Sequence, residues 1–394
     1  MEPPVPHAPE IRTDTPGSFA RAVFHERHPV LIGRLLDALP YGPAQRAALA
    51  DLLAASTGGA RLEPPAAEPP PADAEQWREW GASWWGRRWD EAPFLWAESY
   101  FYRRLLDATG YFRPGDPWYG IDPFAPLKAA ELAGPAVDGE LAALDGHPPT
   151  RDALLAAALW GNRADLGFRL TAEDGDTATG LVADDTAALW AHLEHAPGGR
   201  IALIADNAGR ELLPDLVLLD HLLTSGLAGH ADLYVKPQPY FVSDATTADT
   251  LAALTRLRTA PGPAAAATGA RLWQALTDGT LTLRTHPFFC APLPYQAMPA
   301  DLRRELTGAT LTLLKGDLNY RRLVGDRHWP ATTPFAPLTA HFPTPVAALR
   351  TLKSDVVTGL TPATLARLDA TGTPWRTSGR HALVQLAAAR STAP

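Results

Sequence analysis

The chain has 394 residues, with 35 Lys and Arg against 43 Asp and Glu and a formal net charge of −8, which offers no global attraction to nucleic acid or an anionic membrane. A single cysteine, Cys290, excludes an intrachain disulfide framework and any zinc site built from four cysteines. The opening Met1-Glu2-Pro3-Pro4-Val5-Pro6 has neither the basic flank nor the apolar core of an export signal, and no run approaches the roughly 20 apolar residues of a membrane span, so a soluble cytoplasmic protein is the simplest expectation.

Residues 1–17 are expected to form a flexible N-terminus, 18–190 a mostly helical region and 191–394 an α/β region. Helix-like apolar spacing runs over Leu31–Leu39 and Ala44–Ala55, and an Ala/Pro-rich loop over about 56–72 follows. Trp77, Trp80 and Trp84 stand at i, i+3 and i+7, which marks one helix face and predicts core packing rather than a ligand-stacking platform. The next helix is predicted to start after Asp90, with Pro93 in its first turn, and to run through Leu106. Glu98 shares a side of that helix with Tyr102 and Leu105, so it is either paired in the core or directed into a cleft. An Ala/Leu helix over 152–159 leads into the polar turn Trp160-Gly161-Asn162-Arg163-Ala164-Asp165.

From about residue 197 short apolar runs alternate with longer helical patterns. Strand candidates are Ile201–Ala205, Leu233–Val235, Leu281–Arg284, Ala309–Leu314, Leu349–Leu352 and Ala382–Leu386, and the segment Pro239–Asp244 brings the chain back to a polar edge. Leu212, Leu213, Leu216, Leu219, Leu222 and Leu223 give the first helix of this half a broad apolar face. The repeated βα order predicts an α/β fold with a covered, mainly parallel sheet, although it does not give the strand order.

Three apolar runs end in carboxylates. Ile201–Ile204 leads to Asp206 and Asn207, Val242-Ser243 to Asp244, and Leu313-Leu314-Lys315-Gly316 to Asp317. Carboxylates and an amide at converging strand ends form a hard oxygen ligand set suited to Mg²⁺ or Mn²⁺. Helix capping and turn formation account for the same residues without a metal. Gly209 permits close backbone approach at a helix start, and Glu211 there can bind sugar hydroxyls or serve as an ordinary first-turn carboxylate. In Lys315–Arg322, Asp317 can align water or a hydroxyl, Asn319 can hold phosphate through its amide and Arg321 can offer paired donors. Lys353 adds a compact positive charge at another sheet edge. Attack by water and a covalent aspartyl-phosphate route both remain open.

Together DNAGRELLPD, FVSDATTAD, KGDLNYRRLVGD, RTLKSDVVTGL, ESYFYRRLL and LWGNRADL strongly resemble the metal-dependent damage-control phosphatase family formerly described as a domain of unknown function. Arg350-Thr351-Leu352-Lys353 looks like the RTxK signature of its sugar-phosphate subgroup. The resemblance implies a helical N-terminal region packed on a Rossmann-like three-layer α/β/α sandwich. It implies hydrolysis of small sugar phosphates such as fructose 1-phosphate or fructose 6-phosphate with Mn²⁺ or Mg²⁺, or else Co²⁺ or Ni²⁺. By matching positions, Asp206, Asn207 and Asp244 are metal ligands, Asp244 also touching substrate. Glu211, Asp317, Leu318, Asn319, Tyr320 and Arg321 match substrate contacts, and Lys353 matches a phosphate-binding lysine. Arg210 is a less typical neighbour that alters pocket shape.

Carboxyl methyl transfer from S-adenosylmethionine has been proposed for a eukaryotic member of that family, but no glycine-rich methyl-donor signature is evident here, and Cys290 needs no nucleophilic role. A nonenzymatic sugar-phosphate sensor would keep the binding residues without turnover. Neither GxGxxG nor GxxxxGK[ST] is present, which argues against a dinucleotide oxidoreductase and a phosphate-loop kinase. Nucleic-acid binding through the tryptophans with Arg87 and Arg88 is explained more simply by a buried stripe with a basic outer face. The expected partner is a small phosphorylated sugar, with no nucleic acid and no membrane.

Overall fold

The computed structural model describes residues 8–65, 72–146, 149–161 and 180–388. Asn162, Arg163 and Asp165 of the polar turn lie outside the described residues. Among the described residues seven strands form one sheet: β1 Leu181–Asp184, β2 Gly199–Ile204, β3 Ala228–Val235, β4 Leu281–Thr285, β5 Leu311–Lys315, β6 Val346–Thr351 and β7 Ala382–Ala387. Their spatial order is β1-β7-β6-β5-β2-β3-β4. Pairing is parallel throughout except between β6 and β7, so the expected mainly parallel sheet is present with a reversed edge.

Both faces of the sheet are covered, and strand alternation decides which residue goes where. Ala202, Ile204, Leu314, Val346 and Ala348 join the core shared with the N-terminal helices. Their neighbours Ile201, Leu203, Leu313, Ala347 and Leu349 join the core on the opposite face, beneath the helix Leu212–Thr224. This is the α/β/α layering of a Rossmann-like sandwich, preceded by helices that include His28–Ala38, Pro43–Thr57 and Phe94–Thr109. The strand β1 falls in the stretch read as mostly helical; at four residues it is too short to show a period of two.

The segment Pro239–Asp244 is a loop, because Pro237 and Pro239 lack the N–H that a sheet ladder needs. The loop is tied to the end of β2, with Ala208 N donating to Ser243 O (2.7 Å) and Ala245 N to Asp206 O (2.9 Å). The tryptophan stripe does not lie on one helix, since the helix Ala74–Trp80 stops at Gly81, where a Cβ would overlap the Trp85 ring. The core role holds nonetheless: Trp77 is buried, and Trp80 and Trp96 pack edge-on against it. Arg87 lies over Trp84 and Arg88 pairs with Asp90.

Strand order has a consequence for function. From the centre, β2-β3-β4 run to one edge while β5-β6 run toward the other, so the chain changes direction between β2 and β5. Loops leaving the carboxyl ends of those two strands diverge and open a crevice, the position where ligands bind in open α/β sheets.

The helical part holds an unusual core residue. His28 stacks on Phe101 (3.7 Å between centroids, 9° between planes), and among the described residues neither ring nitrogen has a hydrogen-bond partner. Burial pushes its pKa down to about 3, so the folded protein keeps the ring neutral while the unfolded chain protonates near pH 6.5. Stability contributed by the neutral ring is therefore full above about pH 6.5 and falls by about 1.4 kcal/mol per pH unit between there and the folded value. Denaturant melts at pH 7, 6 and 5 should show this loss in the wild type and a flatter profile in His28→Phe; parallel slopes for the two proteins would contradict it.

Candidate functional site

The floor of the crevice is built by a glycine and an asparagine. Gly316, with φ +82°, follows β5 and opens the helix Gly316–Val324. A Cβ at this position would overlap the Asp206 carboxylate, so only glycine permits the close approach of the two loops. Asn319, one turn later, is fully buried, and its Nδ2 donates to Lys315 O (2.8 Å), Ala205 O (3.2 Å) and Ile204 O (3.4 Å). Its Oδ1 accepts from the Tyr295 hydroxyl at 2.9 Å.

Asn319 therefore clamps the ends of β2 and β5 together, and its amide is not presented to phosphate as the sequence suggested. Tyr320 is also turned inward, its hydroxyl 2.8 Å from Thr358 Oγ1 and donating to Gln385 Oε1 at 2.9 Å. Leu318 packs against Leu95, Tyr240 and Cys290. These three side chains face the protein. Among the described residues no side chain caps the amides that open the helix.

Above the floor lies an acidic cluster. Asp206, Glu211 and Asp244 are buried, and Asn207 forms a backbone bridge with Asp244. The Asn207 amide nitrogen donates to Glu211 Oε2 (2.8 Å) and Asp206 Oδ2 (3.2 Å). Glu211 occupies the N-cap of Leu212–Thr224, one residue outside the helix. Burial, followed by repulsion from Glu211 and Asp244, raises the Asp206 carboxyl well above the usual range, with Lys236 and Lys353 opposing. Burial likewise raises Asp244, against the pull of Lys236 and the Phe241 amide.

Among the described residues no three His, Cys, Asp or Glu side chains form a ready-made metal cluster. The cluster offers carboxylate oxygens and the Asn207 amide oxygen, since the Asn207 nitrogen is already committed to Asp206 and Glu211. This oxygen-only set fits a hard divalent cation.

Asp317 lies on the β5 side. Its Oδ1 receives Arg350 Nη2 (2.7 Å), Arg350 Nε (2.8 Å) and Ser354 Oγ (3.0 Å). Burial alone would raise its pKa, but the Arg350 and Arg321 charges hold it below the usual carboxylate range. Asp317 is thus an ionised acceptor of low basicity. Arg321 does not offer its fork to phosphate: Nε and Nη2 hold Asp326 (2.8 and 3.0 Å) and Nη1 donates to Glu98 Oε2 (3.1 Å). Glu98 is accordingly paired in the core, the first of its two expected roles. Cys290 is buried, which pushes its thiol up to about 12 and removes it as a nucleophile.

Several neighbours were missed by the motif reading. Lys236 extends the apolar end of β3, so the rule that singled out Asp206 applies to it as well. Arg350 belongs to the RTxK segment, and its anchoring of Asp317 explains the arginine there. Lys128 binds Asp122 and Asp249 (2.6 Å each) and reaches Asp244 O (3.3 Å), and Glu131 lies against Gly209. Neither carries a local sequence signal, because both come from the distant helix Ala125–Leu132. Arg210 turns away to pair with Glu140.

Residues 23–368 match the model of the damage-control phosphatase ARMT1-like domain. The mouse damage-control phosphatase ARMT1 is 33% identical over 334 residues, covering 76% of this chain and 75% of the relative. The human protein of that name is 32% identical over 335 residues with the same coverage. A crystal structure of a DUF89 family protein from Pyrococcus horikoshii superposes with a TM-score of 0.50 at 12% identity over 92% of this chain and 95% of that one, a likeness of fold alone. The chain therefore belongs to the damage-control phosphatase ARMT1-like family.

Proposed function

We propose that this protein is a divalent-metal-dependent phosphatase that hydrolyses small sugar phosphate monoesters, fructose 1-phosphate or fructose 6-phosphate, and belongs to the RTxK sugar-phosphate subgroup of its family. The observation that carries this reading is the contact of the Asp206 carboxylate with Gly316, which sets an acidic cluster beside an uncapped helix N-terminus at the switch point of the sheet. Acid groups for a cation and amides for an anion stand side by side.

Asp206, Asp244 and the Asn207 amide oxygen would hold Mn²⁺ or Mg²⁺, with Co²⁺ or Ni²⁺ as substitutes. When bound, the cation polarises a phosphoryl oxygen and neutralises developing charge. The first-turn amides of Asp317 and Leu318, free of intrahelical partners and aligned with the helix dipole, receive phosphoryl oxygens. Lys353 supplies a compact charge to the same group. Asp317, fixed through one oxygen by Arg350 and Ser354, keeps the other to orient the attacking water; its low basicity suits positioning better than proton abstraction. Water oxygen then bonds to phosphorus as the ester P–O bond breaks, and the sugar oxygen leaves with a proton. Glu211 contacts sugar hydroxyls, and Arg321 acts through the fixed position of its helix.

A phosphate-release panel tests the reading. Fructose 1-phosphate or fructose 6-phosphate should yield inorganic phosphate, a chelator should abolish the reaction, Mn²⁺ or Mg²⁺ should restore it, and Asp206→Ala should lose at least about 100-fold in kcat/KM, in line with the loss of a main electrostatic element. Sugar-phosphate binding without release would favour the sensor, and methyl transfer from S-adenosylmethionine without release would favour the methyltransferase.

Gly316→Ala probes the geometry separately. The added methyl meets Asp206 and strains a positive-φ position, so activity should fall at least about 100-fold while stability drops by about 1–3 kcal/mol. An active Gly316→Ala protein would show that the close approach is dispensable.

A further inference from the structure

Three lysines bury their ammonium groups around the acidic cluster, and one differs from the others. Lys128 is neutralised by Asp122 and Asp249, and Lys315 by Asp215 at 2.8 Å with Ala158 O as a further acceptor. Lys236 is 1% exposed, yet its Nζ has no hydrogen-bond partner among the described residues. The nearest carboxylate oxygen, Asp244 Oδ2, is 4.0 Å away, beyond hydrogen-bond reach. An ammonium carries three donors, and burying it with none satisfied is costly unless an anion completes its surroundings.

The surrounding backbone fixes this position. Lys236 N donates to Ala245 O at 2.9 Å, so the end of β3 and the Asp244 loop are joined. Its charge also acts on both Asp206 and Asp244. A divalent ion on those two carboxylates would match their charge, so Lys236 would no longer be needed as their counter-ion beside the place where a phosphate dianion is received.

We propose that the Lys236 ammonium is a second phosphate-binding cation of this site, donating to a phosphoryl oxygen of the bound monoester beside Asp244. The inference rests on the phosphatase reading and adds a catalytic residue to it. Lys353 then meets the phosphate from the loop after β6, and Lys236 meets it from the end of β3.

Lys236→Met keeps the apolar stem and removes the charge. Calorimetry should show Mn²⁺ affinity unchanged or tighter, since a like charge has gone, and affinity of the Mn²⁺-loaded protein for inorganic phosphate about 10–100-fold weaker. Phosphate affinity within about twofold of wild type, by the same scale, would assign Lys236 to balancing Asp244 alone and overturn the inference. Wild-type protein that binds neither Mn²⁺ nor phosphate would instead overturn the phosphatase reading and this inference with it. Should the variant not fold, Mn²⁺-loaded wild-type crystals soaked in phosphate decide: Nζ within about 3.2 Å of a phosphate oxygen is expected, and an ammonium left out of contact with phosphate overturns the proposal.

Discussion

The structure of this site depends on the buried amide of Asn319. Two neighbouring strands send their loops in opposite directions at the crevice between β2 and β5, and the ladder between them ends at the pair Ile204 and Leu314. The amide nitrogen serves carbonyls from both strand ends, and Tyr295 holds the amide by its oxygen. Each buried carbonyl left without a donor would cost about 1–3 kcal/mol, so the clamp is worth more than its few contacts suggest. With the strand ends fixed, Asp206 can rest on the bare backbone of Gly316.

Charge organises the rest. Acidic groups from the β2 loop and the Asp244 loop are brought together out of water, where their repulsion is strong. Lys128 approaches from the helical half, Lys315 from beneath and Lys236 from the next strand, so buried cations offset the cluster without filling it. Contact between the two halves of the chain follows the same pattern, with Glu98 and Asp326 closing on Arg321 while Phe94 packs over its guanidinium. The helices thus take part in shaping the crevice as well as covering the sheet.

Much of this was legible in the sequence wherever a periodic apolar signal was long enough. The runs ending in Asp206 and Asp317 are strands that deliver these residues to adjacent edges, and the helix bearing Glu98 is present, although it starts at Phe94 with Pro93 at its N-cap rather than in its first turn. Asp244 reaches the same place by another route, through a loop that follows Pro237 and Pro239 and is bridged to Asn207. The inward roles of Asn319, Tyr320 and Arg321 were hidden, because a polar residue on a helix reads the same whether its partner is a ligand or a distant carbonyl, hydroxyl or carboxylate. Lys236 was passed over for a related reason: one lysine after a strand looks like ordinary surface until its burial and missing partner are seen.

Asn319→Leu tests the central claim most directly, because it removes the clamp without touching a proposed metal ligand. Calorimetric titration of the folded variant with Mn²⁺ should show affinity reduced by at least about 10-fold, the scale expected when a residue supporting the ligands is lost. Mn²⁺ binding equal to that of the wild type would mean that the two strand ends hold Asp206 in place without Asn319, and would contradict the account.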